Sequence, residues 1–147
     1  MDRFIKLDNG VDEGRLPLIV IVGPTASGKT SLAIQLAKKY RGEIICADSR
    51  TVYRGMNIGT AKPSLEEQQE VSHWGLDLVD PGDSFSVSQF KGYVRQKIKE
   101  IRSRGNIPFL VGGTGSVSYT HLRIILRQCC HFYNGLAKGD TGVLVLM

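Results

Sequence analysis

The segment Gly23-Pro24-Thr25-Ala26-Ser27-Gly28-Lys29-Thr30 constrains this chain more than any other. Its spacing, G-x-x-x-x-G-K-T, needs glycines so that backbone amides can wrap around phosphate oxygens. A helix opening at Lys29 adds favourable dipole charge at the same point. Lys29 supplies a point charge, and Thr30 a hydroxyl suited to magnesium. The flanks are those that such a loop requires. Leu16 to Val22 is an apolar, β-branched run that suits a strand covered on both faces, with Pro17 at its start, where a missing donor costs least. Leu32, Ala33, Leu36 and Ala37 then recur at helical spacing, Lys38, Lys39 and Arg41 sit near the end, and Gly42 reads as the stop. The loop alone leaves its ligand open: ATP and the diphosphate of another donor both suit it.

Further elements follow the same alternation. Ile44-Ile45-Cys46-Ala47 reads as a short strand ending at Asp48. Ser49 to Pro63 is a long, polar, glycine-punctuated loop, and a loop of that length is more often functional than idle. Ser64 with Glu67 predicts a capped short helix to Val71, and Trp74 to Val79 is a weak strand. Ser86 with Gln89 predicts a second capping box, followed by the stripe Val87, Phe90, Val94, Ile98 and Ile101, and the helix stops by Gly105. Ile107 to Val111 is a third apolar strand, leading into Gly112-Gly113-Thr114-Gly115. Alternating strands and helices predict an α/β fold with a parallel sheet flanked by helices, of the kind found in P-loop NTPases. Its loops after the strands then share one edge, where ligands bind. Residues 1–15 read as a flexible lead-in, 16–115 as the core, and 116–147 as an atypical tail, truncated or mis-joined. Its last apolar run, Val143 to Met147, reads as a strand without a partner.

At 147 residues the chain has room for one domain with a sizeable core. No apolar run is long enough to span a bilayer, and Asp2, Asp8, Asp12 and Glu13 argue against a secretory signal, so the cytoplasm is the expected compartment. The net charge of +5 is compatible with a nucleic-acid substrate and does not require one. The three cysteines form no disulfide framework: Cys46 reads as a core residue, and Cys129-Cys130 near His121 and His131 matches no zinc spacing.

Asp48, at the end of a buried strand, is suited to holding magnesium through water or acting as a general base; a cap on the following turn is the lesser alternative. Asp77 and Asp80 compete for the metal role. Arg50 and Arg54 are candidates for phosphate or base contacts, or plain surface residues. His73 beside Trp74 is a candidate nucleobase contact, or a packed histidine. Gly112 to Gly115 suggests a second close backbone approach to a ligand.

Taken together, these motifs resemble the tRNA dimethylallyltransferase (isopentenyl-diphosphate:tRNA transferase) family. The matching stretches are 23–30, Ala47-Asp48-Ser49-Arg50-Thr51-Val52-Tyr53-Arg54-Gly55-Met56, the directly following Asn57-Ile58-Gly59-Thr60-Ala61-Lys62-Pro63, His73 with Gly75-Leu76-Asp77-Leu78, and Phe109 to Gly115. All occur in the family's order, and they cover residues 16–115. The resemblance implies dimethylallyl diphosphate as donor and, as acceptor, N6 of the adenosine 3′-adjacent to the anticodon in tRNA. It implies that Asp48 is the catalytic base, that Lys29 and Thr30 with Mg2+ take up the charge of the leaving diphosphate, and that Asp48, Ser49, Arg50, Thr51 and Thr114 meet the anticodon arm of a flipped-out nucleotide. A monomer is expected. Thr51 stands where the family commonly has glutamine, His73-Trp74 replaces adjacent histidines, Ser116-Val117 replaces Leu-Tyr, and family members run to about twice this length, so a fragment is expected. A small-molecule or nucleoside kinase using ATP, and a non-catalytic nucleotide- or RNA-binding module, remain alternatives on the same loop.

Overall fold

The computed structural model describes residues 16–24, 27–48, 50–57 and 62–113, together with the backbone of 143–146. Thr25, Ala26, Ser49, Thr114, the lead-in 1–15, and the Cys129-Cys130 pair with His121 and His131 lie outside the described residues.

Strand β1 (Leu18–Gly23) enters the phosphate loop, and helix α1 (Lys29–Tyr40) leaves it. Then come β2 (Gly42–Cys46), α2 (Leu65–Glu70), the two-residue β3 (His73–Trp74), α3 (Val87–Ser103), β4 (Ile107–Gly113) and β5 (Val143–Leu146). The strands form one five-stranded sheet in the order β3-β2-β4-β1-β5, and every pairing is parallel. The parallel α/β architecture expected from the alternation is therefore present. The final apolar run is not partnerless: Leu18 to Ile21 of β1 pair with Val143 to Leu146.

Every residue of β1 is buried because helices cover both faces of the sheet. Leu18, Val20 and Val22 pack with Val94, Ile98 and Ile101 of α3, while Ile19 and Ile21 pack with Ala33, Ile34 and Ala37 of α1. Each fully buried branched side chain contributes about 1.5–3 kcal/mol. The α1 stripe differs from the spacing estimate by one position: Ile34 is buried, and Leu32 is 41% exposed. Both capping boxes form as expected, Ser64 with Glu67 and Ser86 with Gln89.

The second strand, read as Ile44 to Ala47 ending at Asp48, is Gly42–Cys46, and two further departures have a clear physical cause. Arg41, not Gly42, ends α1 in a left-handed conformation (φ 53), and Gly42 already belongs to β2. Glycine is needed there because a Cβ would run into the Phe109 ring. The strand expected over Trp74 to Val79 is confined to His73 and Trp74, because Gly75 (φ 84) and Asp77 (φ 52) turn the chain out of the extended region. Only an isolated bridge between Tyr53 and Val79 follows.

Candidate functional site

The phosphate loop closes on itself before α1 begins. Gly28 is left-handed (φ 79), and at this N-cap no side-chain hydrogen bond substitutes for the exposed amides. Ser27 N–H donates to Pro24 O at 3.3 Å, and Lys29 Nζ donates to the same carbonyl at 3.0 Å. The first turn of α1 holds no acidic side chain, so nothing there opposes an anion.

A shallow cleft, open to solvent, begins at this turn. Lys29, Thr30 and Ala33 form one side, and Ile44, Cys46 and Asp48 form another. Thr51, Pro63 and His73 continue the wall, which closes at Val111, Gly112 and Gly113. Parallel pairing explains the convergence: β1, β2 and β4 all end at the same edge, so residues 29, 48 and 112 meet.

Asp48 sits at the mouth of a turn that it organises itself. Its Oδ1 accepts from Arg50 N–H at 2.8 Å, and its carbonyl accepts from Thr51 Oγ1 at 3.0 Å. The cap reading of Asp48 thus holds together with its place in the cleft. Thr51 is 1% exposed, so its hydroxyl is committed to this turn. Arg50 is exposed. Arg54 donates to Asp77 O and Asp80 Oδ1, and Lys62 pairs with Asp77 at 2.6 Å; Asp48 lines the cleft, and neither of these aspartates does.

Cys46, read as a core residue, is half-buried and lines the cleft. Burial, reinforced by the Asp48 charge, pushes its thiol up to about 12, so it stays protonated. His73 lines the cleft and Trp74 does not, because adjacent strand residues face opposite ways. Burial lowers the His73 pKa, against the opposing pull of the Val71 carbonyl and the Glu67 charge. Its Nδ1 lies 2.7 Å from Val71 O and so carries the proton, which leaves the buried Nε2 as an acceptor without a partner among the described residues. Sequence reasoning missed Ala33, Ile44, Pro63 and Val111 as cleft residues, since apolar residues carry no chemical signal of their own.

Among the described residues, no cluster of three or more metal-ligating side chains occurs, and no helix is long and apolar enough to cross a membrane.

The family model for IPP transferase matches residues 51–125. The tRNA dimethylallyltransferase of Roseiflexus sp. (strain RS-1) is 54% identical over 100 residues, covering 68% of this chain and 33% of that protein. The protein of the same name from Bacillus subtilis (strain 168) is 52% identical over 99 residues, covering 67% and 32%. Among solved structures, the tRNA isopentenylpyrophosphate transferase of Bacillus halodurans superposes with a TM-score of 0.71 at 45% identity, covering 86% of this chain and 39% of that one. A eukaryotic dimethylallyltransferase acting on tRNA superposes with a TM-score of 0.67 at 37% identity, covering 74% and 26%. The chain thus spans about a third of the length of the curated relatives it matches. A cleft joining a phosphate loop to Asp48, a family model that matches half of the chain, and relatives at about half identity lead to one statement: the chain belongs to the IPP transferase family.

Proposed function

We propose that residues 16–115 form the donor-binding core of an enzyme that transfers a dimethylallyl group from dimethylallyl diphosphate to N6 of the adenosine 3′-adjacent to the anticodon in tRNA. The observation that carries this reading is that Lys29, Thr30 and Asp48 line one cleft. The amides of residues 23–30 and the Lys29 ammonium receive the diphosphate and neutralise the charge that grows as it leaves. Asp48 accepts a hydrogen bond from N6 and takes its proton as the N–C bond forms and the C–O bond to diphosphate breaks.

The donor set suits magnesium: the Thr30 hydroxyl is a hard oxygen lining the cleft, and phosphate oxygens and water complete such a shell. Thr30 would hold the ion, whose contribution is further neutralisation of the diphosphate. The resemblance assigns Ser49, Arg50, Thr51 and Thr114 to tRNA contact; Arg50 offers an exposed side chain, and Thr51, which is buried, would contribute through the turn it fixes. The acceptor base must leave the anticodon stack to reach Asp48. The enzyme works as a monomer in the cytoplasm.

The test offers the chain radiolabelled dimethylallyl diphosphate or γ-labelled ATP, each with an unmodified anticodon stem-loop and Mg2+. Retention or transfer of the first label, displaced by excess inorganic diphosphate, is the expected result. Transfer of the γ-phosphate from ATP would replace this reading with a kinase.

A further inference from the structure

Asp48 and Thr51 belong to a segment without regular secondary structure, and a second such segment, 75–80, runs beside it. Lys62 joins the two. Its side chain is only 7% exposed, and Nζ donates to Asp77 Oδ1 at 2.6 Å, Asn57 Oδ1 at 3.1 Å and Tyr53 O at 3.2 Å. An ammonium has three donors, so this one is fully used inside the protein. Lysine is seldom buried this far unless paired, and here its acceptors come from both segments.

The constraint continues from Asp77 to Asp48. Asp77 is left-handed, its N–H donates to Thr51 O at 3.1 Å, and its carbonyl accepts from Arg54 Nε at 3.1 Å. Leu78 N–H donates to Val52 O at 2.7 Å, and Arg54 N–H donates to Val79 O at 2.9 Å. At the head of segment 75–80, Gly75 lies so close to β2 that a Cβ would stand 2.6 Å from Cys46 O. Thr51, held in this ladder, bonds the Asp48 carbonyl, and Arg50 N–H bonds the carboxylate. Hydrogen bonds therefore run without a break from Lys62 through Asp77 and Thr51 to the backbone of Asp48.

We propose that Lys62 is a positioning residue for Asp48: by fixing Asp77 against Thr51, it sets the turn that aims the Asp48 carboxylate into the cleft. The geometric claim stands by itself, and its catalytic consequence rests on the proposed role of Asp48.

The test uses the 147-residue chain with Lys62→Met and Lys62→Arg, and Asp48→Ala as reference. Three quantities are read: the Arg50 backbone amide by NMR, affinity for inorganic diphosphate with Mg2+, and thermal unfolding. In Lys62→Met, the Arg50 amide resonance moves toward its Asp48→Ala position, and its exchange protection falls by about tenfold or more. Diphosphate affinity stays within about twofold, and Lys62→Arg, which keeps the charge in a bulkier planar group, moves the resonance less than Lys62→Met does. If Lys62→Met does not fold, Asp77→Asn supplies the same reading, since it weakens the ammonium contact and keeps the backbone bonds. An Arg50 amide unmoved while the melting temperature drops would overturn the proposal, as would a parallel loss of diphosphate affinity. Undiminished prenyl transfer by Asp48→Ala would instead defeat the catalytic reading and leave the Arg50 result untouched.

Discussion

The phosphate loop and the Asp48 segment face the same cleft but are held by different kinds of contact. The loop is local: Lys29 bonds a carbonyl five residues away, and Leu32 N–H bonds Gly28 O as α1 begins. The Asp48 segment is held from a distance. Lys62 reaches 15 residues to Asp77, and Arg54 reaches 26 to Asp80. An anion site built from backbone amides needs little beyond its own sequence. A carboxylate that must point in one direction needs neighbours, and here they come from segments that are far apart in the chain.

The largest effects should separate the two. Asp48→Asn is expected to slow prenyl transfer by the intact enzyme by about 10²–10⁴-fold, the usual range for a lost general base. It should leave diphosphate affinity unchanged. Lys29→Met is expected to weaken diphosphate binding by roughly 10–100-fold, since a hydrogen bond to a charged group contributes about 1.5–3 kcal/mol. Single-turnover kinetics and calorimetry with inorganic diphosphate read the two quantities independently. If each variant lost both, the cleft would be one indivisible site and the contrast would fail.

That contrast also explains what the sequence disclosed. The glycines, Lys29 and Thr30 sit at fixed spacing between a strand and a helix, so the loop could be read directly. Both capping boxes were legible for the same reason, because each involves residues three apart. Asp48 was legible as the carboxylate closing an apolar run, although β2 itself stops at Cys46. The burial of Lys62 was not, because nothing near it in sequence distinguishes a strut from a surface lysine. Nor did spacing disclose that Asp77 is taken by Lys62, that Trp74 faces away from the cleft, or that Val143 to Leu146 pair with β1. Each depends on where distant segments meet.

A third region tests the comparison from the other edge of the sheet. Glu43, buried near the start of β2, accepts from Trp74 Nε1 at 2.7 Å, Arg104 Nη2 at 2.8 Å and Asn106 Nδ2 at 2.8 Å. Lys97 lies 4.1 Å over the Trp74 ring. Burial alone would raise the Glu43 pKa, but the bonds from Arg104, Asn106 and Trp74 outweigh it and hold the carboxyl below its ordinary value. A depressed folded value means stability that is present above the unfolded pKa and lost as pH falls through the folded one. Denaturant unfolding should therefore show an acid limb that Glu43→Gln flattens, with a cost of about 1–3 kcal/mol at neutral pH. Diphosphate affinity should not change. A change there would mean that the clamp on Trp74 reaches the cleft through His73.

The smallest effect sharpens the comparison most finely, because the same chemical motif occurs in two settings. Ser86 caps α3, which has 17 residues and buries Val94, Ile98 and Ile101. Ser64 caps α2, which has six residues and buries none. Removing a serine cap costs about 1 kcal/mol where the helix folds with the core. Ser86→Ala should therefore lower global stability by about that amount, visible as a shift in the denaturant midpoint. In Ser64→Ala the midpoint should hardly move, since α2 can fray alone, and the loss should appear as faster amide exchange across 64–71. Fraying there also loosens Gln68, whose Nε2 donates to the carbonyl of Pro63, a cleft residue next to Lys62. An equal midpoint shift in both variants would make α2 part of the cooperative core, and the Asp48 side of the cleft would then be as firmly held as the phosphate loop.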